Sequence, residues 1–252
     1  MRSRRAGLVL AGLLALAASP ASALSLVFDD GSGLSGTADF TLVNPLTLKV
    51  VLTNTSSAPN LTSSPSNQLL TSLAFQLPNN TNILLGTAKI SSGSRSIGFS
   101  KGSFGGGTHV GGEWGYGNGG TTGFGSLRNY VSALQAGTHK FGGLNLDGPS
   151  ALAGPQGGLA APGWISGGQG GIQSSATFHL VTSRPLWDLS FLQNGAMIEF
   201  GSDYRFLRPV RSGGPAGGGG TPPGPTIPEP NAALAFAVGL LVVGGATRRR
   251  AA

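Results

Sequence analysis

The chain has 252 residues, no cysteine and a formal net charge of +7. A chain without cysteine contains no disulfide, no thiol nucleophile and no cysteine-ligated zinc or iron–sulfur cluster. Three arginines near the start and Arg248, Arg249 and Arg250 at the end account for six of the 16 basic residues, which leaves ten basic residues against nine acidic ones. No stripe of lysine or arginine interleaved with aromatic residues remains between the termini, so we expect no nucleic-acid binding.

Residues 1–23 have the pattern of a secretory signal peptide. Arg2, Arg4 and Arg5 form a basic region, and residues 8–18 are apolar. Ala21 and Ala23 supply the small side chains of an Ala-x-Ala site for signal peptidase. The sequence therefore predicts export, with a mature chain that begins after residue 23.

The residues that follow alternate with the two-residue period of β-strands. In residues 36–43, Ala38, Phe40 and Leu42 share one face, and Asp39 and Thr41 share the other. Strands are predicted over residues 25–28, 36–43, 46–54, 70–77, 82–90, 174–182 and 196–206. Residues 186–194 fit either a strand or one helical turn. This spacing predicts a mainly β extracellular domain over residues 24–208, built as an antiparallel β-sandwich.

Glycine dominates the middle of this domain. Between residues 102 and 171, 24 of 70 residues are glycine, with aromatic residues scattered among them. A purely flexible linker needs no aromatic residues, so we expect long loops pinned by these side chains onto the sheets. Trp114, Tyr116 and Trp164 have two interpretations: they plug the loops into the core, or they stack on sugar rings as exposed loop residues.

We predict no catalytic residue, metal or cofactor. Glu113 with Glu199 or Asp188 would be needed as a glycosidase pair, but their spacing does not require it. The three histidines have no metal-binding spacing; they are His109, His139 and His179.

One acidic and glycine-rich stretch follows the first predicted strand. Asp29 and Asp30 could ligate calcium, with Asp39 as a further ligand, but the EF-hand spacing is absent. Aspartates that accept hydrogen bonds from loop amides are the favoured alternative. Residues 31–36 match G-x-G-x-x-G, yet a strand follows where a dinucleotide site needs a helix, so a tight connection between strands is predicted.

The C-terminal part has three segments of different character. Residues 209–227 form a Gly/Pro linker, and Pro228, Glu229 and Pro230 follow it. Residues 232–246 are apolar and would form a single short transmembrane helix about 22 Å long, against a hydrocarbon core of about 30 Å. Arg248, Arg249 and Arg250 then favour a cytoplasmic C-terminus, so the inner membrane would hold this tail transiently.

Residues 228–252 resemble the PEP-CTERM sorting signal of Gram-negative bacteria. The triplet, the apolar run and the arginines match it in order at the chain terminus. The resemblance implies processing near the triplet by an exosortase, a membrane-embedded cysteine peptidase. It also implies release to the cell surface or extracellular matrix, in systems that accompany exopolysaccharide and biofilm production.

The mature part resembles a family of exosortase-dependent surface proteins with an early Asp-Asp motif. The matching stretches are FDDGSGLSGTADFTL, LTLKVVLTNTSS, LDGP, IQSSATFHL and MIEFGSDY. This family implies an extracellular location and supplies no catalytic residue. We therefore expect a non-enzymatic surface protein with a structural or adhesive role. The alternatives are an exopolysaccharide-binding module, which requires Trp114 or Trp164 to be exposed, and a secreted hydrolase, which requires two convergent carboxylates.

Overall fold

A computed structural model describes residues 22–57, 65–98, 102–120, 123–134, 144–147, 158–162, 170–202 and 204–210. Several predictions fall outside these residues: the signal peptide up to Ala21, the loop residue Trp164, most of the linker and the whole sorting tail. No helix among the described residues is long and apolar enough to cross a membrane.

The described chain is mainly β, as the sequence predicts. The strands in chain order are β1 Ala23–Asp29, β2 Ser35–Asn44, β3 Thr47–Asn54, β4 Leu70–Phe75, β5 Ile83–Ile90, β6 Arg95–Ile97, β7 Gly115–Gly117, β8 Asn129–Ser132, β9 Leu144–Asn145, β10 Leu159–Ala160, β11 Gly171–Gln173, β12 Ser175–Thr182, β13 Ala196–Phe200 and β14 Arg205–Leu207. Three short 3-10 helices cover Pro65–Gln68, Gly111–Glu113 and Ser190–Leu192. The third lies in the segment for which the sequence left strand or helical turn open.

Sheet A contains five antiparallel strands in the order β1-β2-β3-β12-β5. Every second residue of β2 and β3 is buried, because successive side chains point to opposite faces of a strand. Ala38, Phe40 and Leu42 face the core as predicted, while Asp39 is exposed. Two-residue alternation of this kind is the pattern of a sheet with one packed face and one solvated face.

Sheet B is more irregular and is built around β4. Its strands follow the order β6-β11-β10-β4-β8-β7-β9, and β13 pairs with β4 and carries β14. All pairs are antiparallel except β10 with β11, which are parallel. The prediction of one strand over residues 196–206 was wrong: Gly201 adopts a φ of 69°, and the chain turns back so that β13 and β14 form a hairpin.

One hydrophobic core joins the two sheets. It contains Phe40 and Phe178 from sheet A and Phe75 and Ile198 from sheet B. The rings of Phe40 and Phe75 meet edge to face with their centroids 6.0 Å apart. A second cluster covers the other face of sheet B, where Phe124 and Leu127 of a loop pack beside β4, β8 and β13. The central strands β4, β8 and β13 are therefore buried on both faces, which explains why β4 shows no alternation.

Glycine-rich segments cover the β5 edge of sheet A. The Val110 amide donates to the Ala88 carbonyl at 2.9 Å, and the Ile90 amide donates to the Thr108 carbonyl at 3.0 Å. Farther along β5, the Asp147 amide donates to the Gly86 carbonyl at 2.6 Å. These hydrogen bonds satisfy backbone groups that an edge strand would otherwise offer to another chain.

Close approach explains two of the loop glycines. A Cβ on Gly111 would lie 2.1 Å from the Asp147 carbonyl oxygen, and a Cβ on Gly117 would lie 2.2 Å from the Tyr130 hydroxyl. No side chain fits at either distance. Gly111 can approach the Asp147 backbone, and Gly117 can approach the Tyr130 ring, only because glycine has no Cβ. The described part of the glycine-rich middle is thus packed onto the sheets, as the aromatic residues predict.

Candidate functional site

The two described loop aromatics that were candidates for sugar binding lie in the core. Trp114 is fully buried, and its ring meets Phe178 edge to face at a centroid distance of 4.9 Å. Tyr116 is also buried, and its hydroxyl donates to the Leu84 carbonyl. Neither ring offers a face to a ligand, so the sugar-stacking interpretation is wrong for these two residues. Trp164 lies outside the described residues.

The candidate carboxylates occupy different environments. Glu113 and Glu199 are buried, Glu113 in a 3-10 helix and Glu199 in β13. Glu199 accepts a hydrogen bond of 2.7 Å from Ser72, whose hydroxyl lies 2.7 Å from that of Ser132. Asp188 is exposed and accepts hydrogen bonds from the amide and hydroxyl of Ser190, which lower its pKa. These contacts give each of Glu199 and Asp188 a local structural partner.

The acidic stretch at the β1–β2 turn has the loop-capping arrangement. Asp29 accepts a hydrogen bond from the Gly31 amide, and Asp30 accepts from the Ser32 amide and hydroxyl and from the Leu34 amide. Burial raises the pKa of Asp30, but these hydrogen bonds and Arg205 outweigh it and lower the pKa overall. No group of three or more metal-ligating side chains occurs within the described part of the chain. Residues 31–34 connect two antiparallel strands, as predicted.

A row of basic side chains crosses the exposed face of sheet A. Lys49 on β3 lies directly opposite His179 on β12. On its other side His179 lies opposite Thr87 of β5. Two residues along β12, Thr177 lies opposite Lys89 of β5, and Lys89 forms an isolated bridge with His109. Directly opposed residues of an antiparallel pair share a face, with Cβ atoms about 4.5–5.5 Å apart. We refer to Lys49, Lys89, His109 and His179 as the basic row.

No ion pair in the described part of the chain includes a side chain of the basic row, although Asp39 of β2 and Asp147, which bridges Thr87 of β5, lie near the two lysines. Neither lysine has a carboxylate within ion-pair distance there, and neither histidine makes a side-chain hydrogen bond. Burial lowers the pKa of His179, and the charges of Lys49 and Lys89 lower it further. Asp39, on the same face of β2, accepts a hydrogen bond of 2.5 Å from the Ser25 hydroxyl instead.

A cleft of about 530 Å³ opens beside the basic row. It shares Lys89 and Thr177 with that face. Its other lining residues offer hydroxyl groups and bare backbone; they include Ser91, Ser92, Gly93 and Gly106. The Ser91 and Thr177 hydroxyls lie 2.8 Å apart, at the junction of the cleft and the sheet. The cleft therefore combines hydroxyl groups and backbone with the apolar side chain of Ile90, and Lys89 lies at its edge.

Sequence reasoning missed two features. It did not recognise Lys49 and His179 as neighbours, because strand pairing between residues 130 positions apart has no local signal. It also overlooked Trp187, whose side chain is 78% exposed between β12 and the 3-10 helix Ser190–Leu192. The sequence neighbours of Trp187 gave the only available hint, since Pro185 and Asp188 are typical of a surface connection.

Comparison with protein-family models, with curated proteins and with solved structures finds no match for this chain.

The sorting residues cannot be located on the fold. Pro228, Glu229, Pro230, Arg248, Arg249 and Arg250 lie outside the described residues, as does Ala21 of the signal-peptidase site. Ala23 is the first residue of β1, opposite Thr41. Cleavage after Ala23 would remove one residue pair from the β1–β2 ladder and leave the other six.

Proposed function

We propose that this protein is exported, cut near its C-terminus by an exosortase, and retained at the cell surface or in the extracellular matrix in a non-enzymatic structural or adhesive role. The observation that carries the proposal is the tail: Pro228-Glu229-Pro230, the apolar residues 232–246 and the three terminal arginines. The prolines lack amide donors and hold the segment extended, which suits a peptidase groove. The arginines resist transfer through the membrane.

The arrangement of the domain ends supports this topology. The Val210 amide donates to the Val27 carbonyl at 2.8 Å, and Pro209 bridges Phe28 in antiparallel orientation. The chain therefore enters the linker alongside β1, the strand that directly follows the proposed signal peptide. A precursor with its signal peptide and its tail in the same membrane can fold without separating these two ends.

The test is the intact mass of the protein recovered from outside the native cells. We expect loss of residues 1–23 and a second truncation between Pro228 and Asn231. The triple variant Pro228→Ala, Glu229→Ala, Pro230→Ala should keep its tail and stay in the membrane fraction. A matched variant with three linker prolines replaced, Pro222→Ala, Pro223→Ala and Pro225→Ala, should be processed normally. Native protein that stays in the membrane and still carries Arg248–Arg250 would disprove the sorting proposal.

A further inference from the structure

We propose that one end of sheet A rests on the surface of the lipid bilayer that holds the tail, with exposed apolar side chains inserted among the lipids. We call this surface the apolar end; it consists of Val43, Leu46, Leu84, Leu85 and Trp187. The inference rests on the proposed function in one respect, because a bilayer is close to the domain only if residues 232–246 are held in it. It goes further by assigning a membrane-contacting surface to the folded domain.

The pairing of sheet A brings these five residues together. The turn between β2 and β3, the end of β12 and the start of β5 all lie at the same end of the sheet. Two residues of the apolar end lie at the β2–β3 turn, two lie at the start of β5, and Trp187 follows β12. The Leu186 amide donates to the Pro45 carbonyl at 2.7 Å, which holds the segment with Trp187 against the β2–β3 turn.

The apolar end is open to water. Its five side chains are between 44% and 78% exposed, and they make up five of the nine large hydrophobic side chains that are exposed within the described residues. Single exposed hydrophobic residues are normal on a protein surface, whereas a group of them at one place marks an interaction surface. The concentration of these residues at one end of the sheet therefore requires a covering partner.

The opposite end of sheet A has a polar surface. It is formed by the β1–β2 turn and by the residues that follow β3 and β5. The exposed residues there include Asp29, Ser32, Thr55, Ser57 and Ser92. The sheet is thus apolar at one end of its strands and polar at the other, which is the polarity of a domain with one end at a membrane and the other in water.

Both ends of the described chain indicate which partner covers the apolar end. The Leu42 amide donates to the Ser22 carbonyl at 2.9 Å, so β1 begins beside the β2–β3 turn. Pro209 and Val210 pair with β1 in antiparallel orientation. At Val210 the chain therefore runs back toward the start of β1, and so toward the apolar end.

The sequence beyond Val210 brings a bilayer within reach of this end. Residues 211–231 separate Val210 from the apolar residues 232–246. A Gly-rich chain of that length has an r.m.s. end-to-end distance of about 25 Å, which is close to the length of about 23 Å of the seven-residue strand β1. A tether this short keeps the local concentration of the domain at the bilayer high, so a weak contact is enough.

The side chains of the apolar end suit the lipid interface. Tryptophan is enriched at the level of the lipid headgroups, where its ring is half in contact with hydrocarbon. The charged residues beside Trp187 are Arg184 and Asp188, which have opposite signs, and Asp188 accepts hydrogen bonds from Ser190. The contact should therefore depend on apolar burial rather than on attraction to anionic lipids, and added salt should change it little.

A second copy of the chain fits this surface less well. A stable interface between two proteins buries about 800 Å² of each partner, over about 20–30 residues. The apolar end offers five, and the residues that surround it, such as Asn44 and Asn82, are polar. A bilayer has no such minimum size, because it surrounds each inserted side chain separately.

The experiment measures the depth of a single probe on the full chain. Because the chain has no cysteine, one introduced cysteine can be labelled specifically with a nitrobenzoxadiazole fluorophore. Leu46→Cys places the probe at the apolar end, and Ser32→Cys places it at the opposite end. The labelled chain is added in mild detergent to preformed vesicles of phosphatidylethanolamine and phosphatidylglycerol, and the detergent is removed. We expect a nitroxide-labelled lipid to quench the probe at position 46 and aqueous iodide to quench the probe at position 32.

A pair of double variants tests the side chains themselves. With the probe on Val43→Cys, the double variant Leu84→Ser, Trp187→Ser should lose most of its quenching by the nitroxide lipid. The matched double variant Val27→Ser, Tyr204→Ser replaces exposed residues away from the apolar end and should be quenched like the parent. All of these positions are exposed, so the substitutions should change the stability of the fold little.

Four results would overturn the proposal. They are absence of lipid quenching at position 46, equal lipid quenching at positions 46 and 32, equal loss of quenching in the two double variants, and shielding of position 46 from both iodide and the nitroxide lipid. The last result would mean that protein covers the apolar end, either a second copy or the tail. Because the assay uses the unprocessed chain without an exosortase, its failure and a failure of tail processing in cells are separate outcomes.

Discussion

Sheet A has strands of seven to ten residues, whereas the strands of sheet B have two to six. In sheet A the buried and exposed positions alternate, and one face stays in contact with water. In sheet B the strands come from distant segments, and loop residues such as Phe124 cover the second face. Sheet A thus depends on regular patterning, while sheet B depends on a few large side chains and on glycines that permit close contact.

The largest loss of stability is expected when Trp114, which packs the glycine-rich loops against the core, is replaced. Trp114→Ala leaves a cavity beside Phe178, and we expect a loss of about 3–5 kcal/mol in the free energy of unfolding. Trp187→Ala is the matched control, because its side chain is exposed, and should change stability by less than about 0.5 kcal/mol. Urea unfolding of both purified variants provides the measurement. Equal losses would mean that Trp114 does not anchor the core.

The next largest loss of stability is expected for a substitution at Gly117, in the same region. Gly117→Ala would place a Cβ against the Tyr130 ring, so we expect a loss of about 1–3 kcal/mol from overpacking. Gly119, two residues later, has no atom within 4 Å of its Cβ position. Gly119→Ala should therefore leave the unfolding midpoint nearly unchanged. If both alanine variants unfold at the same urea concentration, close packing at Gly117 is not required.

Sheet A should be sensitive to its first turn, and this sensitivity should depend on pH. Asp30→Ala removes three loop hydrogen bonds and should cost about 1 kcal/mol at neutral pH. The folded-state pKa of Asp30 is below its ordinary value of 3.8, so its stabilisation is present above that pH and is lost as the pH falls through the folded pKa. The difference between parent and variant should shrink accordingly in urea titrations below pH 3.8. Asp29→Ala, which removes one hydrogen bond from the Gly31 amide, should cost less.

The smallest effect concerns His179 on the exposed face of sheet A. Its folded-state pKa lies below 6.5, because burial and the two lysines disfavour its charged form. Protonation therefore favours the unfolded chain, and stability should fall as the pH drops below 6.5. His179→Gln should remove part of this decline. Unfolding midpoints measured at pH 7.5 and 5.5 test it, and identical pH profiles for parent and variant would contradict it.

The regular strands were predictable because their signals are local. Phe40 and Phe178 alternate with polar residues, and these patterns located β2 and β12 to within about a residue or two. The hairpin after Phe200 was missed, because residues 196–206 keep enough apolar residues to imitate one strand. The very short strands of the glycine-rich middle have no periodic pattern; Gly115–Gly117, for example, is defined by its pairing with β8 and β9.

The candidate site was predictable only in part. Lys49 and His179 lie on strands that the sequence predicts, but only the hydrogen-bond register of β3 and β12 makes them neighbours. Trp114 and Trp187 also show that local sequence does not determine which residues are buried. Both stand beside an acidic residue in loop-like sequence, yet one is fully buried and the other is 78% exposed. Burial of a single aromatic residue depends on what packs over it, which local sequence does not contain.

By itself the sequence determined the mainly β class, the placement of the regular strands and the hydrogen-bonded turn after β1, and it carries the proposed export and sorting signals. Those features depend on residues that are adjacent or a few positions apart. Only the tertiary structure decided that Trp114 and Tyr116 belong to the core and that the basic row and its cleft lie together on sheet A. The physical reason is that these arrangements arise from long-range strand pairing and from backbone contacts at glycine, whose partners are far apart in the chain.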